Sequence, residues 1–361
     1  MEPLSLRALN RALLARQMLL KREISDPITV IEKLGGLQAQ QARPPFVGLW
    51  TRLESFKREQ LLKPVHARKV LRATTLRGTL HLITPRDFAA WRPVLQPMFS
   101  AGAQSILRDR LTTFDPALVL EAARKSFGAR ARTFTSLRDE LVASFPDGDE
   151  RAMGYFVRMH LPLASLADAN APWGFSSDAE FNLDADAHDT EGDAQSLVLR
   201  YLAAFGPASI ADFQAWSGIK QAKPVFEALQ SKLLKFQDPK KRILFDIPEA
   251  PRPSEDTPAP VRFIAEFDNL VLGHADRTRI VSELHRPRVV TKNLLVLGTF
   301  LIDGFVAGIW KCERKKKEAI LKLEPFEKVA PKVRKELERE GLELARFLEP
   351  DATNFSVTLH D

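Results

Sequence analysis

Residues 34–45 read Leu-Gly-Gly-Leu-Gln-Ala-Gln-Gln-Ala-Arg-Pro-Pro, and no regular helix can run through them. Paired glycines shed helix propensity, and Pro44 disfavours the α region for Arg43. The stretch therefore reads as a locally extended loop between helices. On extended backbone, residues i and i+2 project to the same side, so Gln38 and Gln40 should face one way and Ala39 the other. Two neutral amides held together can orient a water or hydrogen-bond a base edge without carrying charge. They can equally serve to tie down the loop backbone, and spacing alone leaves both readings open.

A chain of 361 residues is long enough for two or three units with real cores. Apolar content of 45% with 27% charged residues fits a soluble globular protein. The net charge is +7, but its distribution says more. The first 92 residues hold 17 Lys/Arg against 7 Asp/Glu, whereas Asp178 to Asp193 holds seven acids and no Lys or Arg. A basic body of this kind suits a polyanion such as nucleic acid. The lone Cys312 excludes an internal disulfide framework and any CxxC metal site, so a reducing cytoplasm is expected. The start, Met1 to Arg7, lacks the charged and apolar regions of a signal peptide. The most apolar run, Leu294 to Ile302, is too short to span a bilayer, so no membrane association is expected.

The chain repeats one plan: helices, a turn, then a short basic strand pair. The clearest copy spans residues 193–247. Leu197, Leu199, Tyr201, Leu202 and Phe205 form an apolar stripe ended by Gly206-Pro207. Ser209 can cap a helix over 210–216, and a third helix carries Val225, Phe226 and Leu229. Two strands then flank Asp238-Pro239-Lys240-Lys241. Three helices plus a two-stranded wing make a winged helix, which serves either as a DNA reader or as a protein-packing module.

A first copy covers residues 1–112 and contains the Gln loop, with Asp26-Pro27 and Thr84-Pro85 as helix starts. Its wing, over residues 70–83, would carry Arg72, Arg77 and His81. A weaker copy over 113–192 has Asp115 and Thr135 or Ser136 as caps and ends in the acidic connector. Five prolines within residues 248–260 predict a stiff extended linker. Residues 261–361 predict a β-rich subdomain, a basic tip from Lys311 to Lys317, and an amphipathic helix closing the unit. The fold class expected is α+β and helix-rich, with three tandem winged-helix units and a C-terminal β-rich subdomain. Nothing reads as a coiled coil, so a monomer is the expected state.

Four segments resemble the winged-helix DNA glycosylases of the AlkZ type: Leu34 to Pro45, Leu76 to Pro85, Gly206 to Phe213 and Phe267 to Arg277. They occur in the family's order, and the resemblance covers nearly the whole chain. It implies three winged helices in a C shape and a catalytic Gln-apolar-Gln triplet, which falls on Gln38, Ala39 and Gln40. Ala39 stands where bulkier aliphatics are also seen, and position 40 holds Gln rather than the Asp of another branch.

The activity implied is monofunctional hydrolysis of the N-glycosidic bond of N7-alkylated purines, including bulky adducts and interstrand crosslinks, leaving an abasic site. An N7-alkylpurine carries positive ring charge, so the base leaves as a neutral molecule without protonation. The enzyme's task is then to place a water against the sugar C1′, with Gln40 holding it and Gln38 orienting it or contacting the sugar-phosphate. A crosslink is tethered to both strands and cannot easily be flipped. A basic hairpin probing the duplex is expected instead, with Arg314, Lys315, Lys316 and Lys317 at its tip. Arg43, Arg72, Arg77 and His81 complete the expected DNA-binding set, and a solvated charge run or a structural histidine is the plainer reading of these residues. His274, Asp276 and Arg277 read as a salt-bridge cluster fastening the C-terminal unit to the first winged helix.

No metal or cofactor is expected, and the partner is alkylated or crosslinked double-stranded DNA in the nucleoid of the cytoplasm. The alternatives are a non-catalytic winged-helix DNA-binding protein or regulator, and a protein-interaction scaffold without salt-sensitive DNA affinity.

Overall fold

The computed structural model describes residues 2–184, 192–291, 293 and 295–359. Strand β1 (Glu2–Pro3) leads into α1 (Leu6–Arg16), whose start is capped by the Ser5 hydroxyl accepting from Ala8 N–H. Helix α2 (Pro27–Lys33) starts at the expected Asp26-Pro27 pair, with the Asp26 carboxylate accepting from Thr29 N–H. Strand β2 (Leu37–Gln38), α3 (Pro44–Trp50) and α4 (Glu59–His66) follow, then β3 (Leu71–Thr74) and β4 (Leu80–Ile83).

The Thr84 hydroxyl caps the long α5 (Pro85–Leu107), as the Thr-Pro pair predicts. Asp115 caps α6 (Pro116–Ala129). Thr133, not Thr135 or Ser136, caps α7 (Phe134–Ser144), because only its hydroxyl sits three residues before a free N–H. Helix α8 (Glu150–His160) and strands β5 (Leu163–Ser165) and β6 (Phe181–Leu183) complete this part. Residues 185–191 of the acidic connector lie outside the described residues, and its first part forms β6 rather than a free connector. The two strand pairs are not separate wings. They merge into one sheet of order β2-β4-β3-β5-β6, with Arg72 opposite Ser165 across the seam.

Helices α9 (Ala194–Phe205), α10 (Ile210–Ser217) and α11 (Lys223–Ala228) precede β7 (Leu234–Gln237) and β8 (Ile243–Asp246), which form an antiparallel pair. Ser209 and Asp212 make a reciprocal capping box at α10, and Gly218 ends that helix in a left-handed conformation. The N-terminal strand β1 adds to this pair in parallel, against β7. The Pro-rich segment turns at residues 248–249 and 255–256 and is tied to its neighbours. Arg11 Nε donates to Thr257 O at 2.6 Å, and Arg252 Nη1 pairs with Asp246 at 2.6 Å.

Strand β9 (Arg262–Ile264) and short helices α12 (Asn269–Leu272) and α13 (Arg286–Val289) lead to β10 (Thr299–Ile302), β11 (Phe305–Lys315) and β12 (Glu318–Pro325). Helix α14 (Pro331–Leu348) is followed by one more strand, β13 (Asn354–Leu359), in a sheet of order β13-β12-β11-β10-β9. The helix therefore does not close the chain. Strand β13 completes the sheet by pairing parallel with β12.

One apolar core runs from Trp91 and Phe99 through Phe156 to Tyr201 and Trp216. A second joins Phe46, Leu49 and Trp50 of α3 to Phe263, Phe300, Trp310 and Leu344, so the first and last parts of the chain share an interior. Buried ion pairs cross the same boundaries. Arg52, fully buried, forks onto Asp268 at 2.8 and 2.9 Å, and Arg16 forks onto Asp246 at 2.7 and 2.8 Å. Breaking such a pair leaves an uncompensated buried charge. Arg52→Ala is expected to lower unfolding free energy by about 3–5 kcal/mol in denaturant titrations. Arg7→Ala, which opens the half-exposed pair with Asp303, should leave the unfolding midpoint nearly unchanged, and equal losses would refute this division.

Two histidines, His81 and His274, lie fully inside this body. Burial first, and then the charge of Arg77, pushes His81 down to about 3. Burial and the charge of Arg279 do the same to His274. The unfolded chain takes up a proton near pH 6.5 that the folded chain refuses, so stability is full above that pH and declines as pH falls towards 3. Between pH 7 and 5 the His81 share amounts to about 2 kcal/mol, and His81→Asn should remove it from the pH dependence of urea unfolding. An unchanged pH dependence in that variant would contradict the buried neutral imidazole.

Candidate active site on the Gln loop

The loop starts where α2 stops. Gly35 and Gly36 adopt left-handed φ values of 67° and 93°, and Gly36 N–H returns to Ile31 O at 2.9 Å. A Cβ on Gly35 would lie 2.8 Å from the Trp216 ring, so the glycine also permits the close approach of α10. Strand β2 then runs along β4 with Gln38 opposite His81, and Ala39 N–H donates to Leu80 O at 2.7 Å. Beyond that bond the chain leaves the sheet. Gln40 is exposed, whereas Gln38 is 9% exposed and Ala39 is fully buried.

Arg43 departs from expectation. It stays in the α region, at φ −70° and ψ −45°, immediately before α3. Its side chain is half-buried and donates to Glu266 Oε1 at 2.6 Å, tying the loop's exit to the segment before α12. A cleft of about 600 Å³ opens beside Gln41 and Arg43, with Phe267, Ile309, Trp310 and Leu323 among its walls.

Two internal arginines hold the loop from behind. Arg72 Nε donates to Ala39 O at 2.8 Å and Nη2 to Gln40 O at 3.1 Å, with the guanidinium 5.1 Å from the Phe175 ring centroid. Arg77 sits in a left-handed conformation, φ 56° and ψ 17°, in the connection between β3 and β4. Its Nη2 donates to Gln38 Oε1 at 2.8 Å and to Asn269 Oδ1 at 2.9 Å, and its Nη1 donates to Trp216 O. Burial lowers both guanidinium pKa values to about 10, Arg158 adding to the effect at Arg72 and Arg277 at Arg77. Among the described residues, neither arginine is paired with a carboxylate.

A solvent-facing wing carrying Arg72, Arg77 and His81 is therefore not what forms. The β3–β4 pair lies inside the five-stranded sheet, flanked by β2 and β5, and all eight residues of its strands are buried, so both faces are covered. Arg72 and Arg77 bind the loop itself. His81 is fully buried, and its Nδ1 lies 3.1 Å from Thr79 O. A carbonyl can only accept, so Nδ1 carries the proton and Nε2 is left as an acceptor, without a donor among the described residues.

The same reasoning orients both amides. Arg77 can only donate, so Gln38 must turn Oε1 towards it. Leu80 N–H, 3.3 Å from Gln40 Oε1, does the same for Gln40. Each Nε2 then points away from its anchor. The two amides are thus not equivalent: Gln38 is internal and locked, while Gln40 is open to solvent and lightly held.

Arg314, Lys315, Lys316 and Lys317 are all exposed, at the end of the β11–β12 hairpin. The basic tip is shorter than expected, because Lys311 to Lys315 belong to β11 and only Lys316 and Lys317 form the turn. The hairpin end is braced, with Arg314 Nη2 donating to Asp351 O at 3.0 Å and Thr353 N–H to Lys317 O at 2.8 Å.

The His274–Asp276–Arg277 cluster fastens a different boundary from the one expected. His274 Nε2 meets Phe205 O at 2.9 Å, and Asp276 binds Lys240 and Arg242 at 2.9 and 2.8 Å. These contacts join the C-terminal part to the α9–β8 unit rather than to the first unit, and Arg277 takes no part in them. Asn269 and Trp216, which help to fix Arg77, were not singled out from sequence. Asn269 lies within the Phe267 to Arg277 segment, but nothing local marks it as a partner for a residue 192 positions away.

The model of the family described as DNA glycosylase AlkZ-like matches residues 31–347. An interstrand DNA cross-link repair glycosylase from Streptomyces sahachiroi is 24% identical over 320 residues, covering 82% of this chain and 85% of its own. The solved structure of the Streptomyces sahachiroi DNA glycosylase AlkZ is similar throughout, with a TM-score of 0.79, 21% identity and complete coverage of both chains. A fold shared over the full length and a family match that includes the Gln loop lead to one conclusion: this chain belongs to the AlkZ-like DNA glycosylase family.

Proposed function

We propose that this glycosylase hydrolyses the N-glycosidic bond of N7-alkylated purines in double-stranded DNA, including bulky adducts and interstrand crosslinks, and leaves an abasic site. The observation that carries this reading is the exposed Gln40 amide beside a Gln38 amide locked by Arg77. Gln40 holds the attacking water. Gln38 is a positioning residue, since its burial keeps it from the sugar-phosphate role considered from sequence.

The charge balance supports a labile, cationic lesion. Amides offer no general base, so the nucleophile is positioned water rather than hydroxide drawn off by a carboxylate. On bond cleavage the purinium becomes a neutral base while the sugar becomes oxocarbenium-like. The site therefore gains no net charge as the bond breaks, and the internal arginines meet no added positive charge. Water placement supplies several kcal/mol of the barrier, and one aimed dipole about 3 kcal/mol.

Bulk is accommodated by the cleft beside Gln41 and Arg43, and the exposed Arg314–Lys317 hairpin probes the duplex. The helices followed by strand pairs are read as three winged-helix units, the first two sharing a sheet. We place the protein as a monomer in the cytoplasm, on nucleoid DNA. No lysine in the loop offers a Schiff-base nucleophile, so strand cleavage is not part of the proposal. Release of alkylated base separates this enzyme from a non-catalytic DNA-binding relative.

Duplexes carrying one N7-methylguanine or a nitrogen-mustard crosslink, treated with alkali after incubation, report abasic sites. Gln40→Ala should slow single-turnover release by about 10²–10³-fold, the usual loss for one positioned dipole, with duplex affinity within about threefold of wild type. Wild-type rates in Gln40→Ala would remove the assignment. Neither amide titrates and His81 remains neutral, so the wild-type release rate should be flat between pH 5.5 and 8.5. A bell-shaped profile over that range would point to a titrating acid or base instead.

A further inference from the structure

Around the Gln loop, most charged side chains are paired, whereas the Arg277 Nε has no acceptor among the described residues. Its neighbours are all engaged: His274 with Phe205 O, Asp276 with Lys240 and Arg242, Thr278 with Asp276, and Arg279 Nη1 with Pro207 O at 2.8 Å. Arg277 is half-buried, and its Nε is buried with no acceptor among the described residues. The nearby acids of the same segment are committed elsewhere, Asp268 to Arg52 and Asp276 to the β7–β8 turn.

The charges that Arg277 does sense are cations. Burial lowers its pKa, and Arg286 lowers it further, while Arg277 in turn depresses Arg77. Arg286 is exposed and has no carboxylate partner among the described residues. A guanidinium partly withdrawn from water beside two like charges destabilises the free protein unless an anion joins it. Arg77 links the loop to the segment that carries Arg277, because its guanidinium binds both Gln38 and Asn269, the first residue of α12.

We infer that Arg277, with Arg286 beside it, is an anion subsite that takes one phosphodiester of the DNA backbone and sets the register of the damaged strand against Gln40. This rests on the DNA glycosylase reading and adds a positioning residue to it. A phosphodiester offers the full negative charge and paired oxygens that match the guanidinium fork, which the neutral carbonyls around Arg77 do not. One such contact accounts for one phosphate, and its loss weakens binding to all sequences alike.

The test uses the full-length protein and duplexes with a single N7-methylguanine, each carrying one neutral methylphosphonate at a stepped position around the lesion. Arg277→Gln should weaken duplex binding about tenfold and flatten the logarithmic salt dependence by about one unit. Methylphosphonate at one position should weaken wild-type binding to a similar degree and have no further effect on Arg277→Gln. Wild-type affinity and salt slope in that variant, or penalties that simply add at every position, would overturn the subsite. Should Arg277→Gln fail to fold, Arg277→Lys serves in its place: it should keep the salt slope and the single-position penalty, and bind about threefold more weakly because the fork is lost. A lysine variant that shows no penalty at any methylphosphonate position overturns the subsite. Because these readouts measure binding, a protein that passes them yet releases no base would sink the hydrolysis proposal and leave the subsite standing.

Discussion

The arrangement around the Gln loop depends on one guanidinium. Arg77 is held in a left-handed conformation and donates to three neutral oxygens, on Gln38, Trp216 and Asn269. These belong to three stretches of chain that share no local sequence relationship. The contact with Trp216 also explains two glycines. Gly35 lies where a Cβ would meet the Trp216 ring, and Gly218 lies where a Cβ would approach the Arg77 backbone at 3.2 Å. A side chain at either position would push α10 away from the loop and open the hydrogen bonds that orient Gln38.

Buried arginines do two separate jobs in this molecule. Arg16 and Arg52 fork onto carboxylates and join the first unit to segments more than 200 residues away. The Arg52–Asp268 pair is one-to-one, while Asp246 is shared by Arg16 and Arg252. Arg72 and Arg77 instead bind backbone or amide oxygens, and the Arg277 Nε meets no acceptor among the described residues. The unbalanced positive charge is thereby concentrated behind the loop. There it adds to the burial that keeps His81 neutral, and it provides attraction for a polyanion without adding a titratable group to the proposed reaction.

Much of the local structure was legible from residue chemistry. Asp26-Pro27, Thr84-Pro85, Asp115-Pro116 and Ser209 each start a helix where the cap rule places it. The Gly-Gly break and the exit of Gln40 from regular structure were also readable. What failed is equally specific. Arg72, Arg77 and His81 looked like a wing because strand alternation does not reveal whether a pair lies at a sheet edge or in its middle. Arg43 kept helical dihedrals before Pro44 because the helix that follows starts at that proline. The Asp276 cluster was assigned to the wrong boundary, since charge complementarity names possible partners without saying which one packing brings near.

Local sequence settles most helix starts, the Gly-Gly break before Gln38, and the excess of basic charge in the first 92 residues. These follow from interactions within a few residues: caps, glycine dihedrals, proline rings and apolar periodicity. Packing between distant segments decides that two strand pairs fuse into one sheet, that Gln38 is internal while Gln40 is open, and that the Arg277 Nε is buried without an acceptor among the described residues. Each of those outcomes turns on contacts between residues far apart in the chain, where burial and distance set the energy and no local pattern records either.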